Sequence, residues 1–325
     1  MESNGFDDLD LRLLHALEVD ARASFSKIAG VLGVSDQTVA RRFRKLRSEA
    51  GLRVVAVRCA SARPGNEYWM LRLRCTPEGS TTIAEALARR PDTTWIGLTS
   101  GGTEVVCTTR ARSRDDTDEL LLGKLPRTPH IVEIRAHQML HRFYGGPSGW
   151  LAKTGALTKD EAAELSPGPH PQAGPAVIAA QDESLVAALE EDGRATYPEL
   201  QKATGRSESA VKRRLAQLIG SGAIFIDVEF NTEYFGFRTS AMLSITAAPR
   251  FLNTVGEALA RHEEIAYAAA TTGPSNLMAV VVTRDSAHLY EYLSERLGML
   301  EGVEHVDTMP FLRRVKQLTY RQFRG

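Results

Sequence analysis

The sequence predicts an α+β protein in which one two-part unit, helical in front and mixed behind, is written twice. Three observations carry this. SDQTVARRFRKL at 35–46 returns as SESAVKRRLAQL at 207–218, 172 positions further on. The same shift lays EALAR at 85–89 over EALAR at 257–261, and TSGG at 99–102 over TTGP at 271–274. Within each unit the apolar spacing passes from helical periodicity to a mixture of strand-like and helical runs. A constant offset over so much of the chain marks a duplication rather than chance similarity.

The front of copy one begins with DDLDLRLLHALEVD, whose Leu9, Leu13, Leu14 and Leu17 have helical spacing. A short second helix is expected over about 24–32, and Ser35 is placed to cap a third running through Arg47. In copy two, Thr196 and Glu199 read as a capping box. Gly33 and Gly205 fall between the second and third helices, which gives the helix-turn-helix pattern. Behind each front, copy one reads as strand EYWMLRLRC, helix GSTTIAEALARR, hairpin TTWIGLTS with TEVVCTTR, a helix near 115–125 and a strand over 130–141. Copy two repeats the order as RTSAMLSIT, FLNTVGEALARH, IAYAAATT, NLMAVVVT, SAHLYEYLSERLGML and VEHVDTMPFL. That order, βαββαβ, is a ferredoxin-like sandwich. The expected fold class is therefore α+β: a winged or three-helix helix-turn-helix domain followed by a ferredoxin-like domain, twice over. The boundaries expected are 6–52 and 66–144 for copy one, and 181–226 and 237–320 for copy two. Residues 145–180, rich in Pro and Gly, read as a linker with one short helix near 158–165.

The chain has 325 residues, 43% hydrophobic and 25% charged, as expected of a globular protein with several cores. No run of 18 apolar residues suggests a membrane span. MESNGFDDLD is acidic and lacks the apolar core of a signal peptide. Cys59, Cys75 and Cys107 lie far apart, which argues for a reducing cytoplasmic setting without disulfides or a zinc site. The net charge is zero, but its distribution is uneven. Five cations and no acid lie between Arg41 and Arg47, and five more between Arg313 and Arg324. The terminal group reads as a solvated segment.

Placing 100° per residue on the third helix puts Val39, Phe43 and Leu46 on the buried stripe. Gln37, Arg41 and Arg44 then point outward, with Thr38, Arg42 and Lys45 on the flanks. In copy two, Val211, Leu215 and Leu218 face in, while Ser209, Arg213 and Ala216 face out. A buried stripe, small polar residues near the N-terminus and cations beyond them suit a recognition helix in the major groove of duplex DNA. Ser35 and Ser207, at the helix starts, and Lys212 and Arg214 complete the expected DNA-contacting set. The bland alternative, a solvated basic face, is weakened by the recurrence of Arg41 and Arg42 as Arg213 and Arg214. Copy two carries fewer outward cations and is expected to be the weaker reader.

With LDLRLLHALEVDARASFSKIAGVLGVSDQTVARRFRKL and the βαββαβ domain behind it, the chain resembles the Lrp/AsnC, or feast/famine, transcription regulators of bacteria and archaea. Such proteins usually hold one unit and dimerise through the βαββαβ domains. The resemblance implies a covalently tethered pseudo-dimer here, with further homo-oligomerisation optional. It also implies a small effector, such as an amino acid, beside a Gly-x-x-Asp loop. The matching loops are Gly101 with Glu104, and Gly273 with Asn276; neither keeps the aspartate. Glu104 preserves the charge on a longer arm, whereas Asn276 loses it, so the second site reads as altered. Both loops also read simply as hairpin turns.

Other candidates are weaker. His137 and His141 fall on a strand and lack helical ligand spacing, so no metal is expected. No nucleophile, nucleotide-binding or zinc-protease motif occurs, and neither an enzyme nor a cofactor is expected. Trp69 and Trp95 read as core residues. The competing readings are a tetrapyrrole enzyme like the sirohaem decarboxylases that resemble this family in fold, and an effector-binding interaction protein without DNA readout.

Overall fold

The computed structural model describes residues 5–58, 68–110, 114–147, 149–168 and 178–318. Copy one runs α1 (Asp8–Val19), α2 (Phe25–Leu32), α3 (Asp36–Glu49), β1 (Arg53–Arg58), β2 (Tyr68–Cys75), α4 (Ser80–Ala88), β3 (Thr93–Thr99), β4 (Glu104–Arg110), α5 (Arg114–Asp118) and β5 (Ile131–Tyr144). Helix α6 (Lys159–Leu165) lies between the copies. Copy two runs α7 (Glu183–Glu191), α8 (Tyr197–Thr204), α9 (Glu208–Gly220), β6 (Ile224–Glu229), β7 (Thr239–Ala247), α10 (Leu252–Arg261), β8 (Ile265–Thr271), β9 (Leu277–Thr283), α11 (Ser286–Glu291), β10 (Val303–Pro310) and β11 (Arg313–Lys316). Spatial grouping does not follow chain order. One compact unit joins Met1–Arg63 with Gly146–Gly236, and the other joins Pro64–Gly145 with Phe237–Gly325. Like half packs with like half.

In the first unit, α1–α3 and α7–α9 form two three-helix domains. Oxygens of Asp7, Ser24, Ser35, Thr196 and Ser207 accept bonds from orphan N–H groups at five helix starts. Gly33 and Gly205 end α2 and α8 at φ 69° and 68°, a left-handed turn that favours glycine. The recognition helices bury the stripes expected of them, Val39, Phe43 and Leu46 in α3 and Val211, Leu215 and Leu218 in α9.

The two domains share a ribbon that the sequence did not announce. Strand β1 pairs antiparallel with β6, with Val55 opposite Asp227. RVVAVR and IFIDVE are too short to be sheets alone, and each finds its partner in the other copy. Ala56 of β1 lies in the copy-two core with Leu185, Val186 and Leu189. Arg58 reaches Glu190 at 2.7 Å and Glu183 at 2.9 Å in the same copy. Each helical domain also receives an arginine, Arg22 or Arg194, at the turn after its first helix.

The stretch expected as a linker is partly packed structure. Leu151, Leu157 and Leu165 are buried. The Leu151 N–H donates to Glu18 (2.8 Å), the Leu157 N–H to His15 Nδ1 (3.0 Å), and Arg12 pairs with Glu161 (2.6 Å). Its apolar residues are spaced to cover copy one's helices; residues 169–177 lie outside the described residues.

The second unit is a nine-stranded sheet in the order β10-β7-β9-β8-β5-β2-β4-β3-β11. Strand β5 begins on its own sheet, opposite β2, and its last residues, Met139–Tyr144, pair with β8 of copy two. Strand β10 likewise pairs with β7, after which β11 crosses to β3 of copy one. Since β10 and β11 are the 172-shifted counterpart of β5, the exchange is reciprocal, as in an isologous dimer. Leu71, Leu73, Ile83 and Leu87 build one helix-facing core, and Leu243, Ile245, Val255 and Leu259 the other. On the opposite strand faces Met70, Met242, Met278 and Met309 cluster with Val106, so both copies contribute to a third, sulfur-rich core.

Two expectations need correction. Trp69 is partly buried against the copy-one core, but Trp95 is 43% exposed. A register shift between Thr94 and Gly97 turns Trp95 to φ 52° and breaks the alternation that would have buried it. The expected helix near 115–125 is α5 continued as a π-helical turn, Glu119–Lys124, and a 3₁₀ turn, Leu125–Arg127, where Pro126 cannot extend an α-helix.

Candidate nucleic-acid interface and effector loops

Helix α3 presents Gln37, Arg41 and Arg44 to solvent, as the helical wheel required. Arg41 has no ion-pair partner among the described residues, and the Arg44 Nε donates only to the Ala40 carbonyl (3.3 Å) one turn back. These two cations are therefore available. Ser35 is occupied as the N-cap, accepting from the Thr38 N–H (3.2 Å) and touching the Thr38 hydroxyl (2.9 Å). Lys45 lies over the Phe6 ring and donates to the Gly5 carbonyl.

Arg42 is placed differently from the sequence expectation. It pairs with Asp7 at 2.7 Å and with the fully buried Asp10 at 3.0 Å. A buried carboxylate needs a cation, and Arg42 supplies it. Arg214 does the same for buried Asp182 at 2.6 Å. Asp182 is the 172-shifted counterpart of Asp10, so recurrence of this arginine records a repeated internal ion pair. Copy two adds a second guanidinium, Arg206, at 3.3 Å from Asp182. In copy one that position is Val34, and Asp10 Oδ1 and Arg42 Nε stay buried without a hydrogen-bond partner.

Helix α9 presents Ser209, Lys212, Arg213 and Ala216. Lys212 is engaged with Glu208 (2.6 Å), one turn back, and sits over the Tyr197 ring (4.7 Å). Ser207 is the N-cap, accepting from the Ala210 N–H (3.4 Å). Arg213 has no ion-pair partner among the described residues. It lines an open cleft of about 560 Å³ with Arg206, Ala210, Arg214, Gln217 and Gln181. Sequence reading missed Arg206; its only signal was an arginine standing where the other copy has valine.

The effector loops are braced from inside. Glu104 is nearly buried and takes a forked bond from Arg72 (2.6 and 3.3 Å) and one from the Ser100 hydroxyl (2.9 Å). Arg72 reaches on to Asp307 of copy two at 3.0 Å. Asn276 clamps the end of β7, its Oδ1 accepting from the Ala247 N–H (2.9 Å) and its amide donating to the Ala247 carbonyl (2.8 Å). Gly101 (φ 65°) and Gly273 (φ 106°) supply the turns. Both side chains expected to meet an effector are thus committed to the protein. In copy two Asn276 is a backbone clamp.

His137 is buried and its Nδ1–H donates to the Thr272 carbonyl (2.8 Å), while His141 packs edge-on against Phe143 (4.7 Å). Among the described residues no group of three His, Cys, Asp or Glu side chains could hold a metal ion. Burial pushes the Cys75 thiol up to about 11; Cys59 lies outside the described residues. Among the described residues no helix is long and apolar enough to cross a membrane. The terminal cations from Arg313 onward include Arg313, Arg314 and Lys316 of β11; residues 319–325 lie outside the described residues.

The AsnC-type helix-turn-helix family model matches residues 6–47 and again 180–219, and the Lrp/AsnC ligand binding domain model matches 240–320. The HTH-type transcriptional regulator FL11 of Pyrococcus furiosus is 31% identical over 140 residues, which is 42% of this chain and 91% of that protein. LrpA of Pyrococcus horikoshii is 27% identical over 141 residues, 43% of this chain and all of that one. Each relative spans the length of about one unit. The siroheme decarboxylase NirDL is similar in fold over 98% of this chain and 94% of its own, with a TM-score of 0.60 and 12% identity. The sequence matches to both helix-turn-helix domains and to a regulator along almost its whole length decide the family: this chain belongs to the Lrp/AsnC family of DNA-binding transcriptional regulators and carries two of its helix-turn-helix units in tandem.

Proposed function

We propose that the chain works as a tethered pseudo-dimer in which copy one reads base edges in the major groove and the βαββαβ half answers to a small effector, such as an amino acid. The observation that carries the first part is the division of labour on α3. Gln37, Arg41 and Arg44 face solvent unpaired with any acid among the described residues, while Arg42 is drawn away by Asp7 and Asp10. Arginine at such a position pairs with guanine O6 and N7 or with a phosphate. Reciprocal β1–β6 and β5–β8 pairing supports action as one chain, since each copy already has its partner. DNA as the partner implies a cytoplasmic setting. The effector part rests on the family; its ammonium partner is not expected to be Glu104 or Asn276. The test is retention of duplex DNA from a genomic pool in an electrophoretic shift. Recovery of a shared site, lost in Arg41→Ala, supports the reading; no enrichment of any sequence refutes it. Thermal melts with each amino acid test the effector.

A second reading is favoured by the full-length likeness in fold to NirDL. An enzyme on a tetrapyrrole would need histidines free to act, whereas His137 is tied to Thr272 and His141 to Phe143. A Soret band on the purified protein would support that reading over the regulator.

A further inference from the structure

We propose that the open cleft beside α9, lined by Arg206, Ala210, Arg213 and Arg214, is a phosphate-binding site of copy two. This rests on the reading of the chain as a DNA-binding regulator and gives copy two a distinct role within it. The protein itself shows what the matching place in copy one holds. There the carboxylate of Asp7 lies 2.7 Å from Arg42, and the Gly5 carbonyl takes the Lys45 ammonium. An anion and a carbonyl already occupy Arg42 and Lys45.

Copy two lacks that anion. Ala179 stands where copy one has Asp7. Its N–H still donates to Asp182 Oδ2 (3.0 Å), just as the Asp7 N–H donates to Asp10 Oδ2 (3.1 Å). That backbone bond is kept, while the side-chain anion has gone. At the same time Arg206 stands where copy one has Val34 and Gln217 where it has Lys45, so the cleft exchanges an ammonium for a guanidinium as it loses its carboxylate. Two guanidinium groups, Arg206 and Arg214, bond the one buried carboxylate, Asp182, and Arg213 adds a third cation to the lining, leaving a net positive site among the described residues. Asp182 orients Arg206 and Arg214 from below, and Arg213 has no ion-pair partner among the described residues. Fixed by Asp182, Gln181 and Gln217, Arg206 and Arg214 supply a rigid positive surface, and the outward fork of Arg213 is the group placed to take a phosphate. The cleft runs along 210, 213, 214 and 217, the flank of α9 next to its outward face, where a DNA backbone would pass beside the groove.

The ligand is a phosphate group, whether of the duplex backbone or a free small phosphate, and two substitutions in the full chain separate these. Arg206→Val installs the copy-one residue. Ala179→Asp restores the copy-one carboxylate at a helix-capping position, where aspartate is well tolerated. For a backbone phosphate, each variant lowers affinity uniformly across duplex sequences and reduces the slope of log K against log salt by about 1. For a free phosphate, inorganic phosphate at constant ionic strength raises the melting temperature of the wild type and not of Ala179→Asp, with the duplex slope unchanged. Either result supports the site. If both variants keep the wild-type slope and phosphate shifts all melts equally, the proposal is overturned; loss of duplex binding in Arg41→Ala in the same assay would show that the DNA reading stands without it. A wild-type chain that retains no duplex at all would instead sink the DNA reading, leaving the phosphate melt to decide the site.

Discussion

Arg22 and Arg194 sit at the same place in the two helical domains, and each closes the other's turn. Arg22 donates to the carbonyls of Gly193 (2.5 Å) and Ala195 (3.0 Å), and Arg194 to those of Ala21 (2.6 Å) and Ala23 (2.8 Å). Arg22 lies over the Tyr197 ring and Arg194 over the Phe25 ring, the two rings being themselves counterparts. Every partner is displaced by 172 residues. A duplicated chain has kept the self-complementary contact of a two-fold dimer. Burial and the neighbouring Arg22 weaken Arg194's hold on its proton, so the forked carbonyl bonds must outweigh that cost.

Removing either arginine should therefore loosen the pairing of the two domains. Arg22→Ala and Arg194→Ala are each expected to cost about 2–4 kcal/mol, since each deletes two charge-assisted bonds. Lysine should not rescue, because it cannot span two carbonyls with a planar fork. Denaturant unfolding of the three proteins checks this; equal stability of wild type and Arg22→Ala would refute the role.

The adjacent arginines of α3 should separate in their effects. Arg42→Ala strands buried Asp10 and is expected to cost about 3–5 kcal/mol of stability. Arg41→Ala should leave the melting temperature within a degree or two and cost about 1–3 kcal/mol of DNA affinity. A melt and a shift assay on both variants decide it. The reverse assignment, with Arg41 structural and Arg42 reading DNA, would show that the outward face of α3 has been misplaced.

Sequence and structure agree best where the period is strong. Val39, Phe43 and Leu46, the caps at Ser35 and Thr196, and the βαββαβ order could all be read from spacing because local packing determines them. What escaped was set by the other copy. Among the described residues strands β1 and β6 have no partner within their own copy, and the end of β5 and all of β11 pair with strands of the other copy. The ion pairs of Arg42 and Arg214 with buried acids were equally hidden, since repetition alone cannot distinguish a repeated surface from a repeated ion pair. Trp95 was misread because a bulge resets alternation without leaving a sequence mark.

Glu18 should make stability fall as pH rises. Burial, with Asp227 nearby, pushes Glu18 up to about 8, and burial pushes Asp227 up to about 7, from ordinary values of 4.5 and 3.8. The folded state thus keeps protons that the unfolded chain releases. The favourable contribution is complete below about pH 4 and is lost as pH climbs through 7 to 8. Glu18→Gln can still accept from the Leu151 N–H and should flatten the decline between pH 5.5 and 8.5. Parallel melting curves for the two proteins across that range would contradict the assignment.

Glu104 and Asn276 should behave as braces rather than effector ligands. Glu104→Gln weakens the fork from Arg72 and Asn276→Ala frees Ala247, each at about 1–3 kcal/mol. Both should lower the melting temperature while leaving intact any shift produced by an amino acid. Normal stability with loss of that shift would restore the loops as contact sites.

The account's central claim, one chain reading DNA through unlike halves, is tested most directly by binding to a recovered site with either half scrambled, alongside the stoichiometry of the complex. Helix α3 offers Gln37, Arg41 and Arg44 where α9 offers Ser209, Arg213 and Ala216, so the preferred site should be non-palindromic. The prediction is one chain per duplex, a large loss on scrambling the copy-one half and a small loss on scrambling the other. Equal losses from both halves, or two chains on every bound duplex, would contradict it.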